Sequence, residues 1–404
     1  MKIAQIAPLA ERVPPKLYGG TERIVYCLTE ELVKLGHDVT LFASGDSITS
    51  AELVRCCDVA LRLNSDVKDF LPYTIVQLEE VGRRANEFDV LHFHIDLVHF
   101  PLVRDFADRT VTTLHTRLDL PDLKPFYRAF PDVPLVSISH DQRRPISPVN
   151  WRGTVYHGLD RKLLPFKDKP DGNYLAFLGR ISPEKGPDRA IEIATRAGMP
   201  LKMAAKVDAQ DRAYWEAVVK PLVERHPNVE FIGEIDERQK ADFLGEAAAL
   251  LFPIEWPEPF GLVMIEAMAC GTPVLGFRYG AAPEVIEDGV SGILVDTVAE
   301  AVDKLGLALA LDRRKVRAAF ERRFTAERMT RDYLDIYRAL PGVRARERVE
   351  QAIREREVAP RPRERQDLPA EEPRIWPATP GAAVPVMLDP SGAAGDAIGH
   401  RSGR

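Results

Sequence analysis

Two glutamates eight residues apart, Glu258 and Glu266, sit in the segment Pro253-Ile254-Glu255-Trp256-Pro257-Glu258-Pro259-Phe260-Gly261-Leu262-Val263-Met264-Ile265-Glu266-Ala267-Met268-Ala269-Cys270-Gly271-Thr272-Pro273-Val274. The apolar run ending at Phe252 reads as a buried strand, and the prolines after it stiffen a loop that presents Glu258. A helix starting near Gly261 puts Glu266 about one and a half turns in. Its neighbours Ile265, Ala267 and Met268 offer little polar company, so the carboxylate needs a partner, and a polyhydroxyl ligand would supply one. A glutamate on an exposed helix face fits such neighbours poorly. A second cluster, Gly179-Arg180-Ile181-Ser182-Pro183-Glu184-Lys185-Gly186, follows another strand and precedes a helix. A glycine, a forked guanidinium and an ammonium on one strand-end loop suit a diphosphate better than a carboxylate or a neutral ligand. A solvated charged turn is the competing reading.

Tyr18-Gly19-Gly20-Thr21-Glu22-Arg23 lies between the first strand and a helix. Paired glycines allow close backbone approach, and the helix start favours an anion; an ordinary turn capped by Thr21 is the reading preferred from this pair alone. No Gly-x-Gly occurs in the chain, which counts against a nicotinamide or flavin site. His92 and His94 end one strand, on the same face by alternation, and His115 follows the next. The three could in principle bind a metal. No Glu or Cys stands at helical spacing from them, so hydrogen bonding in a cleft is the reading preferred, with His115 the functional candidate.

These residues need elements to hold them. Of 404 residues, 45% are hydrophobic and 29% charged, enough for two or three domains with proper cores. A net charge of −6 argues against a polyanion-coating protein, and no nucleic-acid partner is expected. Four scattered cysteines form no disulfide or zinc framework. The first residues do not read as a signal peptide and no apolar run reaches membrane-spanning length, so a cytoplasmic protein is expected. Basic residues Arg12, Lys16, Arg143 and Arg144 leave peripheral contact with an anionic membrane face as an option, a solvated face being the alternative. Strands are expected at Lys2 to Ala7, Asp38 to Ala43, Val90 to His94, Val111 to Leu114 and Leu135 to Ser139. After a junction rich in Pro and Gly, the pattern restarts at Tyr174 to Leu178, Leu201 to Ala205, Val229 to Ile232, Ala248 to Phe252 and Val274 to Gly276. Helices between them include Glu22 to Leu35, Thr74 to Asn86, Asp188 to Ala197, Arg212 to Arg225, Glu237 to Glu246 and Leu262 to Ala269. Strands this apolar, each followed by a helix, imply an α/β chain of two doubly wound parallel sheets facing a cleft. The domains are placed at 1–160 and 161–322, with a helix at 323–342 crossing back to the first. Eight prolines between Pro360 and Pro390 mark 343–404 as a tail, helical through Arg344 to Glu357 and disordered beyond.

Over roughly residues 1 to 340 the chain resembles the family 4 glycosyltransferases, retaining enzymes with two Rossmann-like domains (the GT-B architecture). The resemblance rests on ordered motifs: Gly19-Gly20, Tyr156-His157-Gly158-Leu159-Asp160, Gly179-Arg180 to Lys185-Gly186, Glu258-x7-Glu266, Gly271-Thr272-Pro273-Val274, Pro283-Glu284-Val285-Ile286 and Asp288-Gly289. It departs at His157, where the family often has Asn, and the loops Asp96 to Phe100 and Arg117 to Phe130 match no known substrate contact. The resemblance implies a nucleotide-diphosphate sugar as donor substrate, with no separate cofactor, and a carbohydrate or lipid-linked acceptor, in polysaccharide or glycoconjugate synthesis. It implies that Arg180 and Lys185 neutralise the diphosphate and that Glu266 takes the ribose hydroxyls. Glu258, with the backbone at Phe260, Gly261 and Leu262, would hold the donor sugar, and His115 would touch that sugar. Gly19, Gly20 and Gly179 would admit the phosphates. The chain has no Asp-x-Asp, so no metal is expected. Two other readings stand beside transfer: an enzyme of the sugar-nucleotide 2-epimerase type, and a non-catalytic nucleotide-sugar binder.

Overall fold

The chain is described by a computed structural model covering residues 1–358, apart from 18, 63 and 147. The proline-rich stretch from 359 onward, read above as disordered, lies outside the described residues. Seven strands form the first sheet: β1 (Lys2–Ile6), β2 (Asp38–Ser44), β3 (Glu52–Cys57), β4 (Val90–Phe93), β5 (Thr110–Thr113), β6 (Leu135–Ser137) and β7 (Trp151–Thr154), in the order β3-β2-β1-β4-β5-β6-β7. Six form the second: β8 (Leu175–Arg180), β9 (Leu201–Lys206), β10 (Val229–Gly233), β11 (Ala249–Phe252), β12 (Val274–Phe277) and β13 (Gly292–Val295), in the order β10-β9-β8-β11-β12-β13. Every pairing is parallel. Both sheets are therefore α/β and doubly wound, and both belong to one compact unit, Met1–Ile353.

Central strands such as β4 and β11 are buried at every position, which is why they read as apolar runs in the sequence, broken in β4 only by His92. Edge strands β3 and β7 are only half-buried, carry Arg55 and Arg152, and so escape an apolar-run criterion. The segment read as one helix over Arg212 to Arg225 is divided: Arg212–Tyr214 and Lys220–Arg225 are α-helical, with a π-type turn at Trp215–Val219 between them. Pro221 has no N–H to continue the i→i−4 ladder, so the pattern loosens just ahead of it. At the C-terminal end a helix runs over Pro341–Val358, starting three residues before the one expected.

Three helices position the cleft. Gly20–Lys34 buries Ile24, Val25, Leu28 and Leu32 against the first sheet at helical spacing. Glu237–Gly245 begins in a capping box, Asp236 accepting from the Gln239 backbone while the Gln239 side chain answers the Asp236 N–H, which orients Lys240 one turn in. Leu262–Cys270 is buried from Met264 to its end, as a helix apolar on all sides must be.

Candidate active site

The loops beyond the carboxyl ends of both sheets enclose a cleft of about 450 Å³, where open α/β sheets place ligands. All eleven residues singled out from sequence line it: Gly19, Gly20, His115, Gly179, Arg180, Lys185, Glu258, Phe260, Gly261, Leu262 and Glu266. The two halves touch here, since a Cβ placed on Gly20 would lie 3.0 Å from Leu262 Cδ1. Gly261 precedes its helix at φ +82°, with Phe252 Cζ 2.8 Å from where a Cβ would stand, so only glycine fits the turn that exposes the first amides of Leu262–Cys270. Among the described residues no side chain caps those amides, and they carry the partial positive charge of a helix start.

The cations are held by carboxylates. Lys185 pairs with Glu258 and stands 5.0 Å from the Trp256 ring centre, with Arg117 on the same ring at 5.3 Å. Arg180 pairs with Glu184, in the next turn of its own loop, and with Asp211 at 3.3 Å. Pro183 opens the short turn Pro183–Lys185, which carries Lys185, while Arg180 is the last residue of β8. Glu266 corrects an expectation: it is only 6% exposed, yet it does have polar company, because Lys240 Nζ donates to its Oε1 at 2.7 Å. Burial alone would lower Lys240, but Glu266 and Glu237 outweigh it and the ammonium is held above its ordinary range. Lys240 comes from a different helix 26 residues earlier, so nothing near Glu266 in the chain announces it.

His92 and His94 do share a face, their rings 4.0 Å apart, and both hydrogen-bond within the protein. Among the described residues no His, Cys, Asp and Glu cluster is placed to hold a metal ion. His115 stacks on His157, centroids 5.3 Å apart and planes 15° apart, and the Nδ1 of each is shielded from solvent with no partner among the described residues. Burial pushes the His115 imidazole down to about 3 and His157 well below its ordinary value, so both stay neutral.

Two family models cover the chain in sequence, Glycosyltransferase Family 4 over residues 18–165 and Glycosyl transferases group 1 over 161–324. A D-inositol 3-phosphate glycosyltransferase of Frankia alni is 30% identical over 346 residues, 69% of this chain and 82% of that one. The chain belongs to the family 4 glycosyltransferases. Its fold matches the sucrose-phosphate synthase of Thermosynechococcus elongatus (TM-score 0.69, 21% identity, 84% of this chain and 99% of that one). It also matches an Anabaena protein solved in complex with UDP-glucose (TM-score 0.62, 17% identity, 84% and 100% covered). These are GT-B glycosyltransferase folds, as the paired sheets here are.

The glycosyltransferase cleft holds further charged residues that sequence reasoning passed over: Glu11, Glu22, Arg23, Arg62, Lys206, Glu234 and Lys240. Arg23 crosses between the halves to pair with Glu237, and Arg62 pairs with Glu11. Glu22 and Arg23 lie two and three residues after Gly20, a proximity that was the one available signal. Of the basic residues considered for a membrane face, Arg143 lies 4.9 Å from the Trp151 ring centre and Arg144 pairs with Asp141 at 2.9 Å. No helix among the described residues is long and apolar enough to cross a membrane.

Glu22 is 5% exposed, and burial, with Glu11 adding, raises its carboxyl from 4.5 to about 7. Between those values the folded chain keeps a proton that the unfolded chain has lost. Its contribution to stability is therefore complete below about pH 4.5 and declines as pH rises toward 7, by about 2–3 kcal/mol. Glu22→Gln is expected to flatten that decline; thermal midpoints of both proteins from pH 5 to 8 check it, and parallel curves would refute it.

Proposed function

We propose that this glycosyltransferase moves a sugar with retention from a nucleotide-diphosphate sugar to a hydroxyl acceptor. The carrying observation is the convergence of Arg180, Lys185, Glu258, Glu266 and the uncapped helix start at Gly261 in one cleft, opposite His115 and the Gly19-Gly20 loop. The diphosphate would displace the carboxylates now paired with Arg180 and Lys185, trading one anionic partner for another without exposing buried cations. Glu266, held by Lys240 through Oε1, keeps Oε2 for ribose hydroxyls. Glu258, freed from Lys185, and the amides after Gly261 would take the donor sugar's hydroxyls.

Transfer passes through an oxocarbenium-like transition state in which negative charge grows on the departing diphosphate. Preorganised cations stabilise that charge. The acceptor hydroxyl attacks from the face the diphosphate leaves, and a diphosphate oxygen takes its proton, so configuration is kept and no enzyme carboxylate is alkylated. With this charge carried by Arg180 and Lys185, and with no Asp-x-Asp in the chain, turnover needs no divalent metal; activity that persists in a chelator supports this. The Anabaena relative's UDP-glucose complex supports a nucleotide hexose as donor class.

Nucleotide release from a panel of sugar nucleotides, with and without carbohydrate acceptors, tests the reading. Release that requires an acceptor, with the anomeric configuration retained in the product, is expected. An altered sugar still bonded to its nucleotide would point to epimerisation, and binding with neither reaction to a non-catalytic binder.

A further inference from the structure

Seven polar side chains join the helix Ala326–Ala339 to His115 in one unbroken series. Tyr333 Oη lies 2.9 Å from Thr113 Oγ1, which lies 2.7 Å from His92 Nε2. His92 Nδ1 is 2.7 Å from Tyr337 Oη, and Gln5 Nε2 donates to that oxygen at 3.2 Å. Gln5 Oε1 is 2.9 Å from His94 Nε2, and His94 Nδ1 is 2.9 Å from His115 Nε2. The first six side chains are at most 1% exposed. Each member has one hydrogen to give along the series and one lone pair to receive with. Leaving no link without a hydrogen therefore requires all the hydrogens to run one way.

Gln5 shows which way. Its amide nitrogen faces Tyr337 and its oxygen faces His94, and an amide oxygen only accepts. His94 must carry its hydrogen on Nε2, which leaves its Nδ1 bare. Burial holds His94 neutral. His115 then donates Nε2–H to His94 Nδ1 and keeps an unprotonated Nδ1, the atom that has no partner among the described residues.

We infer that Gln5, His94 and Tyr337 are positioning residues for sugar transfer: they hold His115 as the Nε2–H tautomer, so that its Nδ1 meets a donor-sugar hydroxyl as an acceptor. This rests on the reading of His115 as a contact to the donor sugar. The sense of the hydrogen bond matters, because a hydroxyl that donates to a lone pair becomes more electron-rich and supports positive charge on the ring, whereas one that accepts from N–H withdraws support. The tautomer of a histidine is set by the bond its other nitrogen makes, and this bond is dictated from the far end of the chain by the helix that carries Tyr337.

Ring nitrogens of ¹⁵N-histidine-labelled protein without substrate report the tautomer directly, with a His115→Gln spectrum to identify the His115 signals. His115 is expected as Nε2–H in the parent protein and in Gln5→Glu, whose carboxylate still accepts from His94, and as a mixture in Gln5→Met. Turnover is expected to fall roughly 10- to 100-fold in Gln5→Met, with donor KM within about two-fold, and to recover in Gln5→Glu. Tyr337→Phe, which removes only a hydroxyl, carries the same expectation as Gln5→Met should the latter fail to fold. An Nδ1–H tautomer in the parent protein, or a loss of turnover with no change of tautomer, would overturn the inference. Full activity of His115→Ala would instead sink the sugar-contact reading alone, since the tautomer signal does not depend on the donor.

Discussion

Lys185→Ala is expected to lower kcat/KM by roughly 10²- to 10³-fold, the loss that follows removal of one preorganised group from developing negative charge. Lys185 is suited to that task by its placement. Its ammonium is mostly buried, pinned between Glu258 and the face of Trp256, and carried on the stiff Pro183–Lys185 turn, so it needs little reorganisation when the diphosphate arrives. The substitution also strands Glu258, whose side chain is 12% exposed, without its cationic partner. Steady-state nucleotide release, run beside a thermal melt, separates these effects: the folded variant should bind nucleotide more weakly, yet lose more in kcat than in binding. Turnover near that of the parent protein would remove Lys185 from the leaving-group role.

Gly158→Ala is expected to cost about 3 kcal/mol of stability, at the upper end for forcing atoms into a filled core. A Cβ there would stand 2.2 Å from the Thr325 carbonyl oxygen, 2.6 Å from its carbon and 2.9 Å from Met329 Cβ. Two of these are backbone atoms that cannot swing aside. The backbone around them is already committed, Leu159 N donating to Phe324 O and Ala326 N to Leu159 O, both at 2.9 Å. The segment joining the two sheets is thereby laced to the start of the helix that carries Tyr333 and Tyr337. Against a total of 5–15 kcal/mol for a native protein, such a cost is large. A denaturation midpoint unchanged from the parent's would show that the close approach is not tight.

How far these features could be read in advance depended on where their causes lie in the chain. Strands β1, β2, β4 and β11 were legible because a parallel strand covered on both faces is mostly apolar, and β3 and β7 were not because these half-buried edge strands are freed from that demand. Arg180, Lys185, Glu258 and Glu266 were legible as local chemistry, charged groups on strand-end loops or among apolar neighbours. The partner of Glu266 was not, since Lys240 reaches it from another helix. The conversion of three histidines from a conceivable metal triad into links of a hydrogen-bonded series was equally hidden, because Gln5 and Tyr337, 332 residues apart, supply its middle.

The alternation of apolar strands and helices therefore leads to a two-sheet α/β chain, and clustered prolines mark a terminal stretch outside the described residues and the loop Pro253 to Pro259 beside the cleft. Periodicity and strand-end motifs are properties of adjacent residues, and covalent adjacency preserves them in any sequence reading. Pairing is different. Which carboxylate holds which cation, and which nitrogen of His115 is left bare, depend on side chains that meet only when the two sheets and the helix after residue 325 close on one another. The low-dielectric interior made by that closure is what keeps the histidines neutral and makes the direction of a single amide, Gln5, felt at the cleft.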